Sequence, residues 1–345
     1  MGLSVDIRKK YKGFELEAAF SSEDETLAIL GASGSGKSMT LKCVAGLISP
    51  DEGRIVSDGR VLFDSAQKID LRPQERDVGY LFQSYALFPN MTVRQNIAIA
   101  HAGNPAAREA DTAALMSKYG ISELADRYPV QLSGGQQQRA ALARIFAYGP
   151  GLLLLDEPFS ALDAYLRENM QAEFKRIIRE YKGSVVFVTH SRDEAYKIAD
   201  SIVILDEGRP AAKGDLKDVF KHPGNVRAAR ITGCKNISAI EKTGARSLFA
   251  KDWGIELLTS EPIGENCAFA GIRAHDFVPT DTDRENPNTF HIEIDDEIDG
   301  PFEKDVIFHA KEAKGSLWWI TGKDRETSGV EKIRIAPEAI MLLEA

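Results

Sequence analysis

The chain has 345 residues, 43% of them hydrophobic, enough for two or three packed domains. Its net charge of −9 is unevenly placed: residues 231–345 hold 13 Lys+Arg against 22 Asp+Glu, so the whole excess lies in the last third. That balance excludes a nucleic-acid binder working through phosphate neutralisation there, and the lack of any run of about 18 apolar residues excludes a membrane-crossing helix.

The first residues carry no apolar signal region. Asp6 breaks the pattern that would mark Gly2 for myristoylation. Leu3-Val5-Ile7 and Phe14-Leu16 alternate with polar residues, which predicts a small antiparallel sheet over the first 25 residues. Thr26–Leu30 is a short buried strand, a glycine loop follows it, and residues 38–47 read as a helix. Asp58-Gly59, flanked by Arg54–Val56 and Arg60–Phe63, predicts a type I′ hairpin. Val78–Phe82 reads as a strand ending at Gln83.

From residue 92 to 150 alanine becomes frequent and the apolar spacing turns helical, which predicts a helical insert over about 85–150. Alternation then resumes: a Leu152–Leu155 strand, a helix over 163–181, a Val185–Val188 strand, a helix over 191–199 and an Ile202–Leu205 strand. Alternating strands and helices imply an α/β domain with a parallel sheet covered on both faces. The pattern changes near 221–232, and the domain boundary is set at 230. Beyond it, Ile255–Leu258, Cys267–Ile272, Phe290–Ile294, Val306–His309, Leu317–Ile320 and Ile333–Ile335 are short β-rich stretches broken by turns. They predict a small all-β barrel. Cys43, Cys234 and Cys267 lack paired spacing and read as isolated thiols of a reducing cytoplasm.

Gly31-Ala32-Ser33-Gly34-Ser35-Gly36-Lys37-Ser38 matches G-x-x-x-x-G-K-S at every fixed position. Its glycines let backbone N–H groups surround phosphate oxygens, and the following helix presents its positive end to the same anions. Lys37 supplies charge to the β- and γ-phosphates of ATP, and Ser38 supplies an oxygen to Mg²⁺. Asp156 closes the four-leucine strand, where a carboxylate holds Mg²⁺ through water, and Glu157 next to it is the candidate general base for an attacking water. Leu132-Ser133-Gly134-Gly135-Gln136 precedes a helix, with Ser133 as N-cap and two glycines leaving amides bare: a second anion-binding helix end. On its own that motif is also ordinary helix capping.

This ordered set resembles the nucleotide-binding subunit of ABC transporters, over residues 1 to about 230. Leu132–Gln136 is similar to that family's signature sequence. The resemblance implies a phosphate-loop ATPase fold with an antiparallel β subdomain and the helical insert. It implies a head-to-tail homodimer, in which each ATP lies between one subunit's Gly31–Ser38 loop and the other's Ser133, Gly134, Gly135 and Gln136. Met39 joins the nucleotide-binding set. Gln83 resembles the lever that touches Mg²⁺ and water, completing Ser38, Gln83 and Asp156 as metal residues. Ser160-Ala161-Leu162-Asp163 resembles the loop that crosses the dimer, with Asp163 reaching the other nucleotide. His190 resembles the switch histidine at the γ-phosphate. Tyr11 resembles the aromatic that stacks on adenine, with Phe14 and Tyr80 as alternatives.

A single nucleotide domain without a membrane segment resembles the ATPase of a bacterial importer. Such a subunit sits on the cytoplasmic face of the membrane, binds transmembrane permease subunits and serves a substrate-binding protein indirectly. Tyr85–Pro89 lies where the family receives a permease helix. Thr232-Gly233-Cys234-Lys235-Asn236 and Gly271-Ile272-Arg273-Ala274-His275-Asp276 are similar to the molybdate and tungstate members, so residues 231–345 read as a regulatory barrel. There Arg273, Lys235 and backbone N–H groups would serve an oxyanion; a purely dimerising role is the other reading. Sulfate, ferric iron, a polyamine or a sugar remain alternative cargoes. A soluble non-transport ABC ATPase is the alternative of another class.

Overall fold

The computed structural model describes residues 2–23, 25–101, 105–160, 162–281, 287–311, 313 and 315–345. It divides into two compact units, Met1–Leu216 and Lys217–Ala345.

The first unit opens with β1 (Gly2–Tyr11) and β2 (Phe14–Glu23), paired antiparallel, followed by β3 (Thr26–Leu30) and α1 (Lys37–Val44). Next come β4 (Glu52–Ser57), β5 (Arg60–Asp64), β6 (Ile69–Asp70) and β7 (Val78–Leu81). The insert comprises α2 (Val93–Ala98), α3 (Pro105–Lys118) and α4 (Gly134–Tyr148). The unit continues through β8 (Leu152–Asp156), α5 (Ala164–Glu180), β9 (Ser184–Thr189), α6 (Arg192–Ile198), β10 (Ser201–Asp206) and β11 (Arg209–Asp215).

Two sheets result. The antiparallel sheet runs β2-β1-β4-β5-β6, and its alternating apolar residues Leu3, Val5 and Ile7 are buried. Asp58 and Gly59 have φ of 49° and 77° between β4 and β5, the two left-handed central residues of a type I′ turn. The second sheet runs β11-β10-β3-β9-β8-β7, with β10, β3, β9, β8 and β7 parallel and β11 an antiparallel edge. Its central strands β3, β8 and β9 are buried at every position, which is why they read as unbroken apolar runs rather than alternations. One apolar core joins the two sheets, from Leu3 and Leu16 through Leu41 to Leu154, Val188 and Leu205. The carboxyl ends of parallel strands are where such sheets bind ligands, and β3, β8 and β9 end there in the glycine loop, in Asp156-Glu157 and before His190.

The second unit holds α7 (Leu216–Lys221), α8 (Val226–Ile231) and ten strands among the described residues. These are β12 (Asn236–Lys242), β13 (Ser247–Ala250), β14 (Ile255–Leu258), β15 (Phe269–Ile272), β16 (Phe277–Pro279), β17 (Thr289–Asp299), β18 (Glu303–Ala310), β19 (Leu317–Gly322), β20 (Lys332–Ile335) and β21 (Ile340–Leu343). They form two five-stranded antiparallel sheets, β14-β13-β12-β15-β21 and β16-β20-β17-β18-β19. Both contribute to one core, with Leu248, Phe277, Phe308 and Trp319 inside, the expected all-β barrel-like unit. β12, β13, β16 and β21 escaped the sequence reading; the last three are only three or four residues long. The boundary set at 230 falls inside α8. That helix is tied to the end of the chain through the bond from Val226 N to Glu344 O and a small cluster of Val226, Ala229, Met341 and Leu343.

Candidate functional site

The glycine loop joins β3 to α1. Gly34 and Gly36 sit at φ of 82° and 101°, left-handed values that a side chain would strain. A Cβ on Gly36 would also meet Leu16 Cδ1 at 2.8 Å. Gly36 is the N-cap of α1 and offers no side chain to it, so the first N–H groups of the helix face the loop without a cap. They form an anion cradle, strengthened by the helix dipole. Met39 packs its side chain on the apolar core.

Lys37 lies folded over this loop, 5% exposed, donating from Nζ to Gly31 O at 2.9 Å and Ala32 O at 2.7 Å. Burial lowers its pKa, and the charges of Glu157 and Asp156 oppose that shift. A buried ammonium satisfied by two neutral carbonyls and facing two carboxylates is poised for an anion.

Asp156 is held on both oxygens. Ser38 Oγ donates to Oδ1 at 2.6 Å and the Tyr80 hydroxyl donates to Oδ2 at 2.9 Å. Ser38 and Asp156 were paired by the sequence reading; Tyr80 was named there only as an alternative adenine partner. Its hydroxyl is engaged with Asp156, and Phe14 lies beside Gly36, where a Cβ would come within 3.1 Å of its ring. Tyr11 ends β1 opposite Phe14 and is 64% exposed, so the β1–β2 hairpin carries it to the neighbourhood of the loop with its ring open to solvent.

Glu157 has φ of 46°, uncommon for a residue with a side chain, and its N–H donates to Val188 O at 3.2 Å. This kink points Glu157 away from Asp156 and towards two partners. Gln83 Nε2 donates to Glu157 Oε2 at 3.4 Å and to Ser160 Oγ at 3.3 Å, and His190 Nδ1 lies 3.5 Å from Glu157 Oε2. Five predicted residues from four segments therefore converge: Ser38, Gln83, Asp156, Glu157 and His190. Two supports were missed. Ser160 Oγ accepts from Gln83 and donates to Glu157 O at 3.0 Å. Behind His190, Thr189 Oγ1 donates to the buried Glu194 Oε2 at 2.5 Å, and Gln171 Nε2 donates to Glu194 Oε1 at 3.4 Å. The Gln83–Ser160 and Gln171–Glu194 bonds join residues far apart in sequence and leave no local signal.

Ser133 and Gln136 form a reciprocal capping box: Ser133 Oγ accepts from Gln136 N at 3.4 Å, and Gln136 Oε1 from Ser133 N at 2.9 Å. Within the chain they therefore cap α4, while Gly135 has no atom within 4 Å of where a Cβ would stand, open space at the helix start. Asp163 lies at the head of α5 and its carbonyl accepts from Arg167 N at 2.9 Å. Ala161 of the same loop lies outside the described residues.

In the second unit the cations proposed for an oxyanion are engaged with protein groups. Arg273 donates to Thr232 O at 2.9 Å, to Thr232 Oγ1 at 3.3 Å and to Phe220 O. Lys235 lies 3.3 Å from Asp305 and 4.5 Å over the Trp318 ring. Asn236 pins strands together, donating to Ile272 O and Trp318 O and accepting from Trp318 N. The two short motifs that pointed to an oxyanion thus have local structural work.

A family model described as "ABC transporter" matches residues 19–160. The chain is 40% identical over 246 residues to the molybdenum import ATP-binding protein ModC of Rhodospirillum rubrum, covering 67% of this chain and 66% of that one. A second ModC, from Paramagnetospirillum magneticum, is 39% identical, with 64% of this chain and 61% of that one covered. The chain thus spans less than two thirds of these two relatives. The sulfate/thiosulfate import ATP-binding protein CysA of Thermosynechococcus vestitus is 40% identical over 248 residues, covering 69% of this chain and 71% of that one. Among solved structures, the dimeric post-hydrolysis state of the ATP-binding cassette MJ0796 bound to ADP and Pi aligns with a TM-score of 0.54 and 28% identity, over 63% of this chain and 99% of that one. Among the described residues no helix is long and apolar enough to cross a membrane.

Proposed function

The chain belongs to the ABC transporter family, and on that footing we propose that it is the ATP-hydrolysing subunit of an importer that takes up an oxyanion, molybdate or tungstate, through separate membrane subunits. The observation that carries the enzymatic part is the convergence of Ser38, Gln83, Asp156, Glu157 and His190 beside a glycine loop that already encloses its lysine.

The donor set suits Mg²⁺. The Ser38 hydroxyl and Asp156 carboxylate are hard oxygens, and their 2.6 Å contact sets them side by side at the mouth of the loop. When bound, that ion would be held by Ser38, Gln83 and Asp156 and would neutralise charge developing on the phosphates. The chain's own groups supply the rest. Loop and helix N–H groups bind the phosphates, and Lys37 exchanges its two carbonyl acceptors for phosphate oxygens. Glu157 orients an attacking water and accepts its proton, with Gln83 and His190 fixing the carboxylate. Tyr11 is the proposed adenine partner.

Ser133, Gly134, Gly135, Gln136 and Asp163 belong in this reading to the nucleotide bound by a second copy, head to tail. The MJ0796 cassette is dimeric, which supports that arrangement. Permease subunits at the cytoplasmic face of the membrane are the proposed partners. Molybdate is favoured by the ModC relatives, and the CysA relative at equal identity supports sulfate as the second reading. An oxyanion held by the second unit is a finer proposal; with Arg273 and Lys235 engaged, backbone N–H groups would carry it.

The test has two parts. The purified chain should release phosphate from ATP with Mg²⁺ and lose that activity in Lys37→Ala. Cells lacking their own importer, given this chain and its membrane subunits, should take up molybdate, with tungstate competing and sulfate not. Sulfate competition at equal concentration would move the cargo to the second reading.

A further inference from the structure

Gln83 is followed by Tyr85 and Ala86 at φ of 61° and 45°, two successive left-handed residues that both carry side chains. Each meets a steric penalty that a glycine would not. The turn is therefore kept by its bonds. Tyr85 N donates to Phe82 O at 2.8 Å. Arg144, on α4, donates from Nη2 to Tyr85 O at 3.1 Å and from Nη1 to Ala86 O at 2.8 Å, with its guanidinium 5.4 Å from the centre of the Phe88 ring. Tyr85 adds no polar bond from its side chain: it is buried, and its hydroxyl has no hydrogen-bond partner among the described residues. Beyond the turn, Asn96 of α2 fixes Phe88, accepting from its N–H at 2.8 Å and donating to its carbonyl at 3.2 Å.

The stretch from Gln83 to Phe88 is thus fastened at its far end by α2 and at its middle by α4, while its near end reaches Glu157 and Ser160. We propose that Arg144 is a positioning residue: it holds the Tyr85–Ala86 turn in its strained form and thereby sets the Gln83 amide against Glu157. The proposal rests on the nucleotide-site reading above. Its ground is the chemistry of the contact. A guanidinium presents its N–H groups in a fixed fork, and the two left-handed residues bring two carbonyls to it. Hydrogen bonds from a charged donor are stronger than neutral ones, which lets this pair offset the strain of both residues. The Gln83 bond to Glu157 is long, 3.4 Å, so a small slackening of the turn releases it.

Arg144→Met removes the donors and keeps a long apolar stem. The readout is steady-state ATP hydrolysis by the full chain with Mg²⁺, with working sites counted by binding of a fluorescent, non-hydrolysed ATP analogue. Per site, kcat should fall about ten- to a hundred-fold, the effect of a displaced group at a reacting centre, with KM for ATP changed less than about three-fold. Arg144→Lys, which keeps the cation without the fork, carries the test if the methionine variant folds poorly, and should lose kcat in the same direction. Two double variants separate positioning from folding. With Gln83→Ala in place, Arg144→Met should lower kcat per site by no more than about two-fold, because its effect passes through Gln83. Ala86 is exposed, and Ala86→Gly relaxes the turn. In that background the loss from Arg144→Met should be about five-fold smaller. An unchanged kcat per site in the variant that folds, the same loss with and without Gln83, or no relief from Ala86→Gly overturns the role given to Arg144. If the wild-type chain hydrolyses no ATP, the nucleotide-site reading falls first and this proposal with it.

Discussion

Glu157 combines a strained backbone, φ 46°, with a carboxylate shared between Gln83 and His190. Strain of this kind costs on the order of 1–3 kcal/mol and persists only where surrounding structure enforces it, as the bond to Val188 O does here. The kink separates two adjacent carboxylates into two tasks, Asp156 with Ser38 and Glu157 with the water-orienting groups. Glu157→Gln keeps the size and hydrogen bonds of the side chain and removes its basicity. It should retain nucleotide binding, slow phosphate release by about a hundred-fold or more, and accumulate an ATP-dependent dimer in size-exclusion chromatography; unchanged turnover would refute the base assignment. Lys37→Ala should instead abolish binding of the nucleotide, read by equilibrium dialysis, because it removes the amine that the loop encloses. Undiminished affinity would refute the phosphate-loop reading.

At the scale of elements, α1 is held at both ends by different means. Its N-terminus carries the loop; its C-terminus is gripped by Arg76, whose side chain is fully buried. Arg76 donates from Nη1 to Cys43 O and Val44 O, both at 2.9 Å, from Nε to Leu71 O at 2.8 Å, and from Nη2 to Asp70 at 2.7 Å. A cation at the carbonyl end of a helix is attracted to the negative pole of the dipole whose other end faces the glycine loop. Arg76→Met should cost about 2–4 kcal/mol, since the carbonyls of Cys43, Val44 and Leu71 each lose a side-chain donor, seen as an earlier transition of the first unit in urea. A variant as stable as wild type would show that water replaces the guanidinium. None of this was legible in the sequence, where Arg76 is one charge in a polar stretch. What was legible had local causes. Buried strands are unbroken apolar runs, the Asp58-Gly59 turn needs two left-handed residues, and the glycine loop needs its glycines. The partner of one of those motifs, Tyr80 on Asp156, depends on which strands lie side by side. Ser133 and Gln136 were read as nucleotide contacts and as a capping box; within one chain only the capping is realised.

The two units differ in charge as well as in fold, and that difference bears on the oxyanion reading. Residues 231–345 hold 22 acidic against 13 basic residues, and two of those basic residues, Arg273 and Lys235, are engaged with backbone oxygens and with Asp305. A dianion bound there by backbone N–H groups would be attracted locally and repelled by the unit as a whole. Salt screens the long-range repulsion more than the short contacts, with a Debye length of about 8 Å at physiological ionic strength. The sign of the salt dependence therefore separates two kinds of site. One built on free cations weakens as salt rises; one built on N–H groups within an acidic surface strengthens. We expect calorimetric titration of the full chain to give micromolar binding of molybdate and tungstate, tighter at high than at low sodium chloride. Binding should be lost when residues 217–345 are removed and kept in Lys235→Met. Loss in Lys235→Met, or weakening with salt, would return the site to the cations. No heat with molybdate, tungstate or sulfate would leave the second unit a structural role and assign cargo selection to the membrane partners.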